Sequence, residues 1–173
     1  MARKHSYTRF YFILLCGLSI GKACPAQLKE DPSRITAYFS FVHPVVTVNK
    51  DGADFNFQDG YTVGFPFGIN FIESDKIAYS FEFVPGITAA DGGSKMSGLL
   101  IHPGIIYRAI FGFNFLTRLA FNTNGRYGFT LVAHHALAKT KTKTYFVAMP
   151  LPFRFGNGRP ASMTVGLQFG MAL

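Results

Sequence analysis

Glu82, Arg118 and Arg154 are charges set into otherwise uncharged, alternating segments, and Arg108 stands nearer the end of one. One carboxylate facing three guanidiniums has two uses. It can form an internal salt-bridge network, or the excess positive charge can hold an anion. His102 and Gln168 fall on the same parity and join those four as a candidate polar network. A structural plug of paired charges is the expected arrangement. A small anion-selective pore, or a binding or transport barrel for an anionic or lipidic ligand, is the alternative.

The histidines raise metal and catalytic chemistry. His43 and His102 each precede a proline, and His134 and His135 are adjacent. Neighbouring strand residues point to opposite faces, so His134 and His135 do not share one interior metal. No carboxylate stands at a zinc-type spacing, and no metal or other cofactor is expected. Ser80, His102 and Glu82 are the residue types of a hydrolase triad. Nothing in their spacing fixes a geometry, so no catalytic residue is assigned and an enzyme is not expected.

The elements that carry these residues are strands. Residues 161–173 alternate strictly: Met163, Val165, Leu167, Phe169 and Met171 on one face, Ser162, Thr164, Gly166, Gln168 and Gly170 on the other. That is the period of a β-strand with one apolar face. The same rhythm predicts strands over 35–41 (with 45–48 continuing past Pro44), 60–72, 77–84, 99–108, 113–122, 126–134 and 145–155. Asn124-Gly125 signals a hairpin. Residues 49–59 and 86–97 read as long polar loops, and 139–144 (KTKTKT) as a basic connection. About eight strands follow one another up and down, with the count least secure between residues 121 and 145.

Composition agrees with a surface that does not face water. The 173-residue chain is 49% hydrophobic and 15% charged, with 20 Phe and 18 Gly. Soluble domains carry about 25% charged residues. Beyond the N-terminus no stretch of about 20 apolar residues offers a helical span. Residues 1–26 read as a secretory signal peptide: Arg3, Lys4 and Arg9, an apolar core over 10–20, then Cys24 and Ala26 at the cleavage positions. Its removal deletes Arg3, Lys4, Arg9 and Lys22, taking the formal charge of +8 to +4. No case for nucleic-acid binding survives. Both cysteines, Cys16 and Cys24, leave with it, so the barrel domain over 27–173 has no disulfide.

The apolar face must point outward. Its Phe, Tyr, Leu and Ile residues overfill an eight-stranded interior, whereas the Gly, Ala, Ser, Thr and Asn of the other face fit one. As a water-facing surface, the polar face has too few charges. An Arg on the lipid face near the midplane costs about 2–4 kcal/mol, and every strand charge lies on the polar face. Tyr61, Tyr79, Tyr107, Tyr127 and Tyr145 stand near strand ends, where an aromatic girdle belongs. The fold expected is all-β: a closed, antiparallel, up-and-down transmembrane β-barrel. Pro66, Pro103, Pro150 and Pro152 inside strands predict bulges or weak points in the wall.

Several segments carry a family resemblance: FVHPVV at 41–46, VGFPFGIN at 63–70, LLIHPG at 99–104, GRYGFT at 125–130, PLPFRFGNGRPAS at 150–162 and VGLQFGMAL at 165–173. With the signal peptide, they resemble the small uncharacterised outer-membrane β-barrel proteins of Bacteroidetes-type bacteria. The resemblance covers residues 35–173. It implies residence in the outer membrane of a Gram-negative bacterium and contact with outer-membrane lipid. It also implies recognition of the C-terminal strand by the outer-membrane assembly machinery, with Leu173 where a terminal aromatic is more usual. The family lends no catalytic residues and no oligomeric state.

Overall fold

The computed structural model describes residues 34–58, 60–90 and 92–173. The segment read as a signal peptide, both cysteines, residues 27–33, Asp59 and Asp91 lie outside the described residues.

Ten strands are formed among the described residues: β1 (Arg34–Asn49), β2 (Gly52–Phe55), β3 (Tyr61–Gly64), β4 (Phe67–Ile72), β5 (Ile77–Ala90), β6 (Gly93–Arg108), β7 (Phe113–Asn122), β8 (Tyr127–Lys139), β9 (Thr144–Phe155) and β10 (Ser162–Ala172). Every pairing is antiparallel. From β5 to β10 each strand pairs with the next. β10 then pairs with β1, from Tyr38↔Ala172 to Asn49↔Ser162. β3 and β4 each lie between β1 and β5 and together make one wall strand. β2 is a hairpin return on the upper half of β1. The result is a closed, up-and-down ring of eight strands, as the alternation predicts.

The structure departs from the sequence reading in three respects, and agrees with it where the strand count was least secure. The strand expected over 60–72 breaks at Phe65-Pro66, because proline supplies no ladder donor. Its neighbours hold the break: Ser40 N donates to Pro66 O at 2.8 Å and Phe65 N donates to Pro85 O at 3.0 Å. Both polar loops contain strand. Residues 49–59 contain β2, and most of 86–97 is a hairpin in which Ala90 pairs with Gly93. Backbone pairing sustains these hairpins without an apolar face, so alternation does not reveal them. Parity also slips on β1. A bulge between Pro44 and Val46 turns Val48 outward and Thr47 inward, where its hydroxyl meets that of Thr164 at 2.9 Å. Between residues 121 and 145, finally, β7, β8 and β9 follow one another with no strand missing.

The exterior is apolar. On β7, Phe115, Leu119 and Phe121 are 55%, 55% and 52% exposed, while Leu116, Arg118 and Ala120 between them are buried. Tyr79, Tyr107, Tyr127 and Tyr145 are exposed, whereas Tyr61 is half-buried, stacked on Phe57 and bonded to His43. β7, the shortest unbroken wall strand, has 10 residues. About 9–11 tilted residues cross a bilayer core.

The two ends differ. Short turns at 73–76, 109–112 and 140–143 share the end where β1 begins and β10 finishes. The β1–β2 and β5–β6 hairpins extend from the other end, beside the short connections at 123–126 and 156–161.

Two further ladders in the wall are interrupted at proline. Between β9 and β10 the register runs Met163↔Phe153 and resumes only at Gln168↔Ala148, the gap spanning Pro150 and Pro152. On its other side β9 pairs with β8 through both prolines. The missing donors therefore face β10. Pro103 leaves a smaller gap between β6 and β7.

Candidate functional site

Three inward side chains too large for a narrow barrel are placed by glycine. Tyr38 pairs with Gly68, Arg118 with Gly104 and Phe146 with Gly170, each directly across a strand boundary. A Cβ at Gly68 would meet Tyr38 Oη, one at Gly104 would meet Arg118 Cγ, and one at Gly170 would meet Phe146 Cζ. Each large side chain therefore lies across its glycine partner and reaches into the lumen.

Glu82 sits at the centre and is 2% exposed. Its direct cross-strand partner is His102. His102 Nδ1 lies 3.0 Å from Glu82 Oε1, and Arg118 Nη1 donates to the same oxygen at 3.3 Å. Tyr38 donates its hydroxyl to Oε2 at 2.6 Å and accepts from Arg118 Nη2 at 3.1 Å. Arg118 Nη2 also donates to Ser80 Oγ at 3.2 Å. The far ring nitrogen, His102 Nε2, is 2.9 Å from Thr130 Oγ1. Arg154 Nη2 donates to that hydroxyl at 3.0 Å, and Nη1 donates to the carbonyls of Phe129 and Phe153.

One neutral tautomer of His102 satisfies every contact of the chain. Glu82 accepts, so His102 carries a proton on Nδ1. Arg154 can only donate to Thr130, whose own proton then goes to His102 Nε2. The chain runs Arg154 to Thr130 to His102 to Glu82, with Tyr38 and Arg118 closing on the carboxylate from the opposite side. A buried ion pair withstands its desolvation only when the surrounding groups are satisfied in this way.

Of the candidate residues, Glu82, His102, Arg118 and Arg154 meet in this cluster. Gln168 lies beside it but donates to Ser40 Oγ at 2.8 Å. Arg108 does not join. It is exposed at the rim, where Nη1 reaches Ser74 O at 3.4 Å, because it ends β6, beyond Gly104, the residue that pairs with Arg118. Tyr38, Ser40 and Thr130 were not singled out from the sequence, although their even parity matches that of Glu82.

Below the cluster, toward the chain-terminus end, Tyr38, Ala78, Ile106, Leu116, Val132 and Phe146 are buried together, and Asn70, Asn114 and His134 also line the lumen there. The interior face is thus bulkier than its small and polar residues alone suggest. Among the described residues the lumen holds a larger and a smaller cavity. The larger, about 220 Å³, lies on the chain-terminus side, and the smaller, about 70 Å³, on the hairpin side. Arg118, Val132 and Gln168 line both. The cluster is therefore a septum across the barrel.

The triad residues are rearranged. Ser80 accepts from Arg118 and does not contact His102. Thr130 takes its place, giving a hydroxyl–imidazole–carboxylate chain with the spacing of a nucleophilic triad. Thr130 is, however, 1% exposed, beside the smaller cavity, and there is no room for an acyl substrate at its oxygen. Elsewhere, His134 bonds Asn114 at 3.0 Å and His135 packs against Phe113. Among the described residues no group of three His, Cys, Asp or Glu side chains is placed to hold a metal ion.

No family model matches the chain, and no curated protein matches it. Among solved structures, a de novo designed transmembrane β-barrel is similar, with a TM-score of 0.46 and 13% identity over 83% of this chain and 96% of that one. A second designed barrel, solved by solution NMR, gives 0.46 and 12% over 83% and 95%. The class of this protein, a closed eight-stranded antiparallel barrel, follows from its own strand ladders.

Proposed function

We propose that the chain is an outer-membrane β-barrel of a Gram-negative bacterium, of the small Bacteroidetes type, whose lumen is plugged. Residues 1–26 export it, the assembly machinery engages β10, and outer-membrane lipid covers the band of Phe, Leu and Ile. Several features support this reading. The exterior is apolar, the strand charges of the septum are turned inward, and the longer hairpins leave the end opposite the chain termini, as extracellular loops do.

One observation carries the plugged reading: the buried Glu82–Arg118 cluster lies between two lumenal cavities whose linings share Arg118, Val132 and Gln168. A barrel closed by paired charges conducts no ions and serves as a wall or anchoring element. The buried Thr130–His102–Glu82 chain is read as part of that closure, without catalysis. Planar-bilayer recording of the refolded protein tests it. The expected trace has no conductance steps, and regular steps would overturn the plug. Heat-modifiable migration in detergent tests the membrane barrel separately. A mature chain that stayed soluble without detergent would overturn that assignment.

A further inference from the structure

The turn between β6 and β7 is closed by Phe113 N, which donates to Ile110 O at 3.2 Å, with Phe111 (φ 56°) and Gly112 (φ 76°) at its centre. Two central residues of positive φ make a type I′ turn, whose first place favours Asn, Asp or Gly. A phenylalanine there crowds its own backbone. Its ring is 85% exposed, so no packing within the chain offsets this. Ile110 beside it is 73% exposed. On the next strand but one, Ala136 N donates to Gly112 O, and Leu137 after it is also exposed. The tip is therefore apolar and unpacked.

The charge beside it has one sign. Every Asp and Glu of the sequence lies at or before Asp91, so no carboxylate side chain occurs from β6 onward, while Lys and Arg continue. On the β8–β9 turn Lys141 and Lys143 are exposed, and among the described residues neither forms an ion pair. Glu73 and Asp75 stand on the β4–β5 turn, opposite in the ring. The β6–β7 and β8–β9 turns are two strand spacings apart, about 10 Å. Exposed Tyr107 and Tyr145 flank them on the wall. Allowing for strand tilt, Ile110 stands roughly 8 Å past Tyr107. The headgroup layer of a leaflet is about 5–8 Å thick. Apolar tip and lysines thus reach the depth of the headgroups together.

We propose that these two turns form a site for anionic phospholipid in the leaflet at the chain-terminus end, with Lys141 and Lys143 on the headgroups and Phe111 and Ile110 inserted between them. Basic side chains beside a membrane draw anionic lipid, and apolar neighbours hold it at the interface. The site presupposes the membrane barrel, and does not depend on whether that barrel conducts.

The chain has no tryptophan, so Phe111→Trp supplies a single fluorophore. The full barrel is refolded in phosphatidylcholine vesicles holding an equal minor fraction of brominated phosphatidylglycerol or brominated phosphatidylcholine, with heat-modifiable migration confirming that each variant folds. Brominated phosphatidylglycerol should quench at least twofold more. Lys141→Gln/Lys143→Gln should abolish that excess, as should about 1 M salt, which shortens the Debye length to about 3 Å. A second reporter, Tyr79→Trp, lies on β5 next to the turn that carries Glu73 and Asp75, and should be quenched equally by both lipids. Equal quenching at Phe111→Trp, or an excess that survives the lysine substitutions, overturns the site. Quenching at Tyr79→Trp with none at Phe111→Trp leaves the tip in water, open to an acidic protein, and also overturns it. No quenching at either position overturns the membrane barrel itself.

Discussion

Arg118 lies across Gly104, and its Cγ occupies the space a side chain at position 104 would need. The contact turns a wall residue into a septum residue. The same glycine backs onto the Thr117 carbonyl, so a new methyl has nowhere to go. Gly104→Ala is expected to destabilise the barrel by about 1–3 kcal/mol, the usual cost of overpacking. Urea unfolding of the refolded protein measures this, and an unchanged midpoint would show that the arginine stem can move aside.

Glu82 accepts from Tyr38, His102 and Arg118 together, so its loss leaves Arg118 buried without a counter-charge. Glu82→Gln should cost roughly 3–5 kcal/mol. The double variant Glu82→Gln/Arg118→Met removes both charges and should be more stable than Glu82→Gln alone. A double-mutant cycle reads the coupling directly. Strictly additive effects would mean that the 3.3 Å contact contributes nothing.

The break in the β9–β10 ladder has a chemical cause that can be reversed. Pro150→Val and Pro152→Val together supply two amide donors toward β10. Backbone hydrogen exchange at residues 164–167 should slow in the variant. Equal exchange in both proteins would assign the gap to the bulge at Pro44 instead of to the prolines.

Leu119 separates a lipid-facing wall from a water-facing one. It is 55% exposed, so in water an arginine there meets no penalty. In a bilayer, Leu119→Arg should cost about 2–4 kcal/mol if the site is near the midplane. The folding free energy in phospholipid vesicles measures the difference. A change indistinguishable from zero would count against lipid at this face.

The sequence by itself determined the strands, their alternation and which face is apolar. These are local properties: side chains in a strand alternate with period two, so parity can be read without knowing any partner. That is why Glu82, His102, Arg118 and Arg154 could be assigned to one interior from their positions alone. It is also why the parity rule failed where a bulge intervened, at Pro44, and why the hairpins at 49–59 and 86–97 were missed, since pairing without an apolar face leaves no local mark.

Only the tertiary structure decided which inward residues meet. Parity gives Arg108 and Arg118 the same face, but height in the barrel depends on register and on ring closure, and these put Arg118 on Glu82 and Arg108 at the rim. Tyr38 reaches Glu82 from β1, across the lumen from a strand that is not its neighbour. The placing of a polar cluster between two lumenal cavities is likewise a product of closure. Contacts across a lumen join residues 44 and 36 positions apart, and no local period encodes them.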